Sequence, residues 1–313
     1  MARLEAECEV ERYEGAGELP HDELVRRVAG KQALVALITD KVDRAVIEAG
    51  TDLRIIANVA VGYNNVDAAA ARERGIIVTN TPDVLTGATA DLTWALILAV
   101  TRRLGEGERM VRRNAWPGWA FDQLLGMELR GKQLGIIGYG RIGKAVAARA
   151  EPFGMRIAYA ARGANDRRGG PLGPPSGPPS GPPAEAMPVD RLLSTSDVVS
   201  IHVPLTPETR HLIDQPALAR MKRSAYLINV SRGPVVDEAA LVWALKNRLI
   251  AGAALDVYEE EPKVHPDLLA LENVLLAPHL GSATTETRTG MADLAVSNVL
   301  AVLSGQPPLT PVA

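Results

Sequence analysis

Short continuous apolar runs alternate along the chain with stretches in which apolar positions recur every three or four residues. Ala33 to Thr39, Leu53 to Val61 and Gly75 to Thr79 are apolar runs bounded by turn residues, the pattern of strands buried on both faces. Helical spacing lies between them, as over Val66 to Arg74. From Ala88 past Arg103, the residues Leu92, Ala95, Leu96, Ala99 and Val100 fall on one helical face and predict a single long helix. A second series of strands follows, at 133–137, 156–160, 198–203, 225–229, 251–255 and 274–277, and a last helix spans Thr285 to Leu303. Alternation of this kind predicts an α/β fold in which helices cover both faces of parallel sheets.

The chain has 313 residues, 47% of them hydrophobic, which is enough for two cores. A net charge of −3 carries no signature of a nucleic-acid or membrane-surface partner. Cys8 is the single cysteine, so an internal disulfide framework and a thiolate metal cluster are excluded, and no metal is expected. Met1 to Glu7 is acidic and lacks the apolar core of a signal peptide, and the apolar stretch near Trp94 to Val100 is too short to span a bilayer. A cytoplasmic protein is expected. The run Gly169 to Pro183 repeats Gly-Pro-Pro-Ser and builds no core, so polyproline II or disorder is expected there. It reads as a tolerated surface insertion, with a proline-motif ligand as the alternative.

Gly138-Tyr139-Gly140-Arg141-Ile142-Gly143 follows one of these strands and opens a helical run. In that context Gly138 permits a tight turn, Gly140 lets backbone approach a pyrophosphate, and Gly143 lets helix and strand pack closely. The helix N-terminus then offers unpaired N–H groups to the phosphates. An NAD enzyme usually carries an acid at the end of the next strand to hold the ribose hydroxyls. Here that strand ends Tyr159-Ala160-Ala161 and Arg162 follows, a residue able to pair with a 2′-phosphate. NADPH is the preferred cofactor on this reading, with NADH possible. The alternative is that Arg162 is a solvated loop residue.

Three further segments carry chemistry. Arg232 follows the apolar run Tyr226 to Asn229, at a strand end where α/β sheets place ligands. A guanidinium grips a carboxylate through two parallel bonds. Glu261 lies beyond the strand ending at Leu255, and His279 beyond the strand ending at Ala277. A carboxylate beside a histidine favours the imidazolium, the form needed to protonate a substrate oxygen. Each residue taken alone has a structural reading, Glu261 as a solvated acid and His279 as a loop cap. Together they point to hydride transfer onto a 2-keto acid.

With these segments the chain resembles the D-isomer-specific 2-hydroxyacid dehydrogenases, and among them the glyoxylate/hydroxypyruvate reductases. The likeness runs from Leu34 to Leu303 and includes Asn58 to Asp67, Thr79 to Thr86 and His202 to Thr209. It implies a Rossmann-type dinucleotide-binding domain, residues 99–284, inserted in a flavodoxin-like substrate domain made of residues 1–98 and 285–313. It implies His279 as proton donor, Glu261 as its partner, and Arg232 as the group that orients the substrate carboxylate and polarises the keto group. Backbone N–H groups at Val61 and Gly62 would hold the carboxylate. Thr93, Arg141, Ile142, Pro204, Val230, Asp256, Gly281 and Ser282 fall on cofactor-contact positions, beside Gly138, Gly140 and Gly143. The resemblance also implies a homodimer.

Two features depart from the family pattern. A β-strand and helix that usually open the first domain are not found before Leu4; their loss would leave a buried groove open, so either a misassigned start codon or a rearranged first domain is expected. The Gly/Pro-rich run lies near the adenosine end of the cofactor domain and is expected to loosen cofactor affinity. Phosphoglycerate dehydrogenases are the nearest alternative. They often carry an arginine near Asn58, which is neutral here and favours a small unphosphorylated keto acid. A dinucleotide-sensing scaffold is the alternative of another class, set against the presence of Arg232, Glu261 and His279 together. Trp116 and Trp119 lie in a segment that closes the pocket in related reductases, or else serve packing.

Overall fold

The computed structural model describes residues 2–15, 17–161 and 183–312. Arg162 and residues 169–182 of the Gly/Pro-rich run lie outside them. The chain forms two compact units, Met1–Leu85 with Ala283–Ala313, and Thr86–Ser282.

In the first unit the elements are α1 (Ala2–Glu7), α2 (His21–Arg27), β1 (Ala33–Ala36), α3 (Arg44–Ala49), β2 (Ile55–Asn58), α4 (Ala68–Glu73) and β3 (Ile77–Thr79). The strands form a parallel sheet in the order β1-β2-β3. Period-two alternation along β2 sends Ile56 into one core, with Val46, Ile47 and Val78. Ile55 and Ala57 face the other, with Leu4, Val296 and Val299. Asp43 and Asp67 start α3 and α4 by accepting backbone N–H groups of the first turn. Strand β1 is an edge strand of this sheet, and Leu4 of α1 packs into the second core.

The second unit runs α5 (Thr86–Thr101), α6 (Leu104–Arg112), β4 (Gln133–Ile137), α7 (Arg141–Ala148), β5 (Arg156–Ala160), β6 (Ala184–Ala186), α8 (Val189–Thr195) and β7 (Val198–Ile201). It continues through α9 (Gln215–Arg220), β8 (Tyr226–Asn229), α10 (Glu238–Lys246), β9 (Gly252–Leu255), α11 (Pro266–Leu269) and β10 (Val274–Leu276). The chain then returns to the first unit as α12 (Thr285–Leu303), which packs on β1 and β2. Seven parallel strands lie in the order β10-β9-β8-β7-β4-β5-β6. Strand β4 has β5 on one side and β7 on the other, so the direction of winding reverses there. This is a doubly wound Rossmann sheet, and its switch point opens a crevice at the carboxyl ends of β4 and β7.

The long helix predicted to run past Arg103 ends earlier. The Thr101 hydroxyl bonds back to Ile97 O at 2.7 Å, and Arg103 takes a left-handed conformation (φ 53°) before α6 begins. Arg103 is held there by both oxygens of Glu106, at 2.7 and 2.9 Å. All of α5 belongs to the second compact unit, which begins at Thr86. Strand β6 is short and its side chains are mostly exposed, so no apolar run marks it in the sequence.

Candidate active site

Because every strand of the large sheet is parallel, the carboxyl ends of β4, β7, β8, β9 and β10 lie along one edge. Gly138, Gly140, Arg141, Ile142 and Gly143 follow β4, and Pro204 follows β7. Val230 and Arg232 follow β8, Asp256 and Glu261 follow β9, and His279, Gly281 and Ser282 follow β10. Thr93 is buried on α5 with its hydroxyl on Thr89 O at 2.7 Å, and the Thr89 hydroxyl in turn reaches Gly281 O at 2.9 Å. Val61 and Gly62 belong to the first unit, where they follow β2.

The turn after β4 fits a dinucleotide. Gly138 has φ +98°, and a Cβ there would lie 2.6 Å from the His202 carbonyl. A Cβ on Gly143 would lie 2.2 Å from Gly138 O. These two positions need glycine for the fold itself. A Cβ on Gly140, the residue before α7, would meet open space, where a phosphate can approach the first turn of the helix. Behind the turn His202 is half-buried with its Nε2 2.8 Å from the Ser200 hydroxyl, and desolvation pulls its pKa down to about 3. It is a neutral packing group. Strand β5 ends at Ala160 and Ala161 follows, so no carboxylate stands at this strand end.

His279 Nδ1 lies 2.8 Å from Glu261 Oε2, with both side chains about one third exposed, 31% and 36%. His279 has φ 55°, a left-handed conformation that a histidine rarely takes. Asp256 holds it there: its carbonyl accepts the His279 N–H at 2.9 Å, and its carboxylate accepts the Leu280 and Gly281 N–H groups at 2.6 and 2.8 Å. Burial pushes the Asp256 carboxyl above its ordinary value, while those N–H groups and His279 act in the opposite direction. The neighbouring surroundings therefore over-determine the backbone at the histidine, as strained functional residues require.

Arg232 is half-buried, and desolvation pulls its guanidinium below the ordinary value while Glu261 opposes that. Asn229 organises the segment: its Oδ1 accepts from Ser231 N and Oγ at 3.1 and 2.9 Å, and its Nδ2 donates to Arg232 O at 3.0 Å. A Cβ on Gly233 would overlap the Tyr258 carbonyl, so glycine lets the Arg232 segment lie directly against the Tyr258–Glu259 backbone. Burial also pushes Glu261 upward. The His279 bond and charge, the Tyr258 N–H at 3.0 Å and Arg232 outweigh it, leaving the carboxyl below its ordinary range. Glu261 is thus an anion bonded to the histidine and favoured by the charge of the arginine.

Sequence reasoning missed a brace around this loop. The His211 side chain bonds Glu259, and Glu238 accepts the Glu259 N–H at 2.8 Å. No spacing rule links these residues, and within the acidic run 259–261 nothing marks Glu259 as the carboxylate that faces His211. Among the described residues no cluster of three side chains could hold a metal ion, and no helix is long and apolar enough to cross a membrane.

Comparison with known proteins bears on the same residues. The sequence model of the D-isomer specific 2-hydroxyacid dehydrogenase NAD binding domain matches residues 94–281, from α5 through His279. The chain is 48% identical over 309 residues to a glyoxylate reductase of Thermococcus litoralis, covering 97% of this chain and 90% of that protein. A crystal structure of a protein from Thermus thermophilus superposes with a TM-score of 0.89 at 46% identity, covering 100% of this chain and 96% of that one. An NADPH-dependent glyoxylate/hydroxypyruvate reductase from Sinorhizobium meliloti, in complex with NADP and malonate, gives a TM-score of 0.79 at 39% identity, covering 90% and 84%. A glycine turn at the switch point, a histidine–glutamate pair and an arginine on one sheet edge, and relatives matched over nearly their whole length, make this chain a member of the D-isomer specific 2-hydroxyacid dehydrogenases.

Proposed function

We propose that the protein reduces a small 2-keto acid, glyoxylate or hydroxypyruvate, to the 2-hydroxy acid, with His279 as proton donor. The observation that carries this reading is the 2.8 Å His279–Glu261 pair on the edge that also holds the glycine turn and Arg232. A relative named as a glyoxylate reductase and a structure named as a glyoxylate/hydroxypyruvate reductase support the choice of substrate.

The turn at 138–143, with Thr93, Pro204, Val230, Asp256, Gly281 and Ser282, would hold the dinucleotide, which when bound supplies the hydride. Arg232 orients the substrate carboxylate and polarises the keto group through its paired N–H donors. The N–H groups of Val61 and Gly62 hold the same carboxylate. His279, oriented through its Nδ1 by Glu261, delivers a proton from Nε2 to the keto oxygen as negative charge develops there.

NADPH is preferred on this reading, because β5 ends without an acid that would repel a 2′-phosphate. Arg162, the residue read as pairing with that phosphate, lies outside the described residues. A second copy of the chain is the proposed partner: Trp116, Trp119 and Phe121 are 55%, 81% and 86% exposed, apolar area that a homodimer would cover. The molar mass in solution decides that part.

The test is loss of reduced-cofactor absorbance with glyoxylate and with hydroxypyruvate, using NADPH and NADH in turn. Turnover that prefers NADPH is expected. Tight dinucleotide binding without turnover of either acid would overturn the substrate, and a preference for NADH would overturn the cofactor.

A further inference from the structure

The loop that leaves β2 in the first unit carries Val61 and Gly62, and three consecutive carbonyls of this loop are tied back to the sheet. Ala60 O accepts the Thr81 N–H at 2.9 Å. Val61 O accepts Asn80 Nδ2 at 2.8 Å. Gly62 O accepts Asn58 Nδ2 at 2.9 Å. All three donors stand at or just past the carboxyl ends of β2 and β3.

The peptides concerned are trans, since Glu261–Pro262 is the one cis bond among the described residues. In a trans peptide the N–H and C=O point in opposite directions. The N–H groups of Val61, Gly62 and Tyr63 therefore point away from the donors that hold the preceding carbonyls. None of the three donates to a backbone acceptor among the described residues. Consecutive N–H groups freed in this way form a concavity that attracts an anion.

Both asparagines are themselves fixed. Asn58 is fully buried, and its Oδ1 accepts from Asn65 Nδ2 at 3.1 Å. The same Asn65 amide reaches Leu37 O at 2.9 Å and Asp40 O at 3.1 Å. Asn80 is held through its backbone, which donates to Thr310 O at 3.2 Å and accepts the Thr310 hydroxyl at 2.6 Å. An aspartate at either position would have no N–H to give the loop carbonyl and would place a negative charge behind an anion site.

We propose that Asn58 and Asn80 are positioning residues for the substrate carboxylate, and that Tyr63 N–H is a third donor beside those of Val61 and Gly62. This rests on the reading above that the loop receives the carboxylate. The asparagines touch no substrate. They set the direction of the peptides that do.

Asn80 is the position to vary, because Asn58 is deep in the fold. In Asn80→Ala the KM for glyoxylate should rise about tenfold, the scale of one lost hydrogen-bonding contact, with kcat within about twofold. The wild-type preference for glyoxylate over its ethyl ester should fall by the same factor, and the dissociation constant for NADPH should not move. Asn80→Asp should raise KM further than Asn80→Ala. A purely structural role would instead lower kcat and thermal stability together and leave the acid-to-ester ratio intact, which would overturn the proposal.

A second measurement needs no variant. In the isotopically labelled wild-type enzyme with NADPH bound, the amide signals of Val61, Gly62 and Tyr63 should shift on titration with oxamate, a non-reducible carboxylate. If those signals move but Asn80→Ala is kinetically silent, the asparagine assignment alone fails. If they stay still while the wild type prefers the acid, the carboxylate is gripped elsewhere, and the loop reading fails with the proposal.

Discussion

An alanine at position 279 is expected to lower kcat for keto-acid reduction by about 10²–10⁴-fold, the range for loss of a positioned general acid. The argument rests on what the imidazole does and what it does not do. Its Nδ1 is engaged by Glu261 at 2.8 Å, so Nε2 is the nitrogen left to meet a substrate oxygen. The glycine turn that would hold the pyrophosphate is built from β4 and α7 and makes no use of the His279 side chain. The dissociation constant for NADPH should therefore stay within about threefold of wild type. Alanine also takes the left-handed backbone at 279 poorly, so His279→Asn is the companion variant, since asparagine tolerates that conformation. Single-turnover rates with both variants separate chemistry from binding. Retention of more than about a tenth of wild-type kcat in both would remove His279 from the proton-donor role.

Loss of the Arg232 guanidinium should cost about 10²–10³-fold in kcat/KM, the scale seen when one preorganised donor to a developing oxyanion is removed. Arg232→Gln keeps length and hydrogen bonding but loses the charge and the fork. Arg232→Lys keeps the charge and loses the fork, and its effect should lie between glutamine and wild type. The glutamine variant has a second consequence. Arg232 is one of the groups that hold Glu261 ionised, against the effect of burial. Without it, Glu261 takes up a proton more easily, and the loss should deepen as pH falls toward the carboxylate range. Steady-state kinetics from about pH 4 to 8, a span that reaches the ordinary carboxylate range, would show this. A penalty independent of pH would break the link between the two residues.

Much of this architecture was legible because strands buried on both faces leave uninterrupted apolar runs. Arg156–Ala160 and Thr285–Leu303 fall where the sequence pattern put them. What escaped is set by single conformations and by distant pairing. Nothing in the pattern of Leu92 to Val100 tells that Arg103 turns left-handed, because the cause is a bond to Glu106 and not a change of periodicity. Strand β6 pairs with β5 yet exposes most of its side chains, so it has no hydrophobic signal. At the site, glycine spacing marks the phosphate turn because sterics allow nothing else at Gly138 and Gly143. Asp256 is different. Its sequence position resembles a ligand contact, while its work as the clamp on His279, Leu280 and Gly281 depends on bonds to residues far along the chain.

The first unit is assembled from both ends of the polypeptide, and this sets an order of events during biosynthesis. Ile55 and Ala57 of β2 are covered by Val296 and Val299 of α12, which emerge from the ribosome after the whole of Thr86–Ser282. The first sheet made is thus the last to be finished. The Rossmann unit has all its strands beforehand and can close its own core while the earlier sheet still waits with one face bare. Translation ordinarily favours the N-terminal domain as the first to fold. Here chain order and the order in which the two cores acquire all their residues run opposite ways, and the face of β2 left waiting belongs to the segment synthesised first.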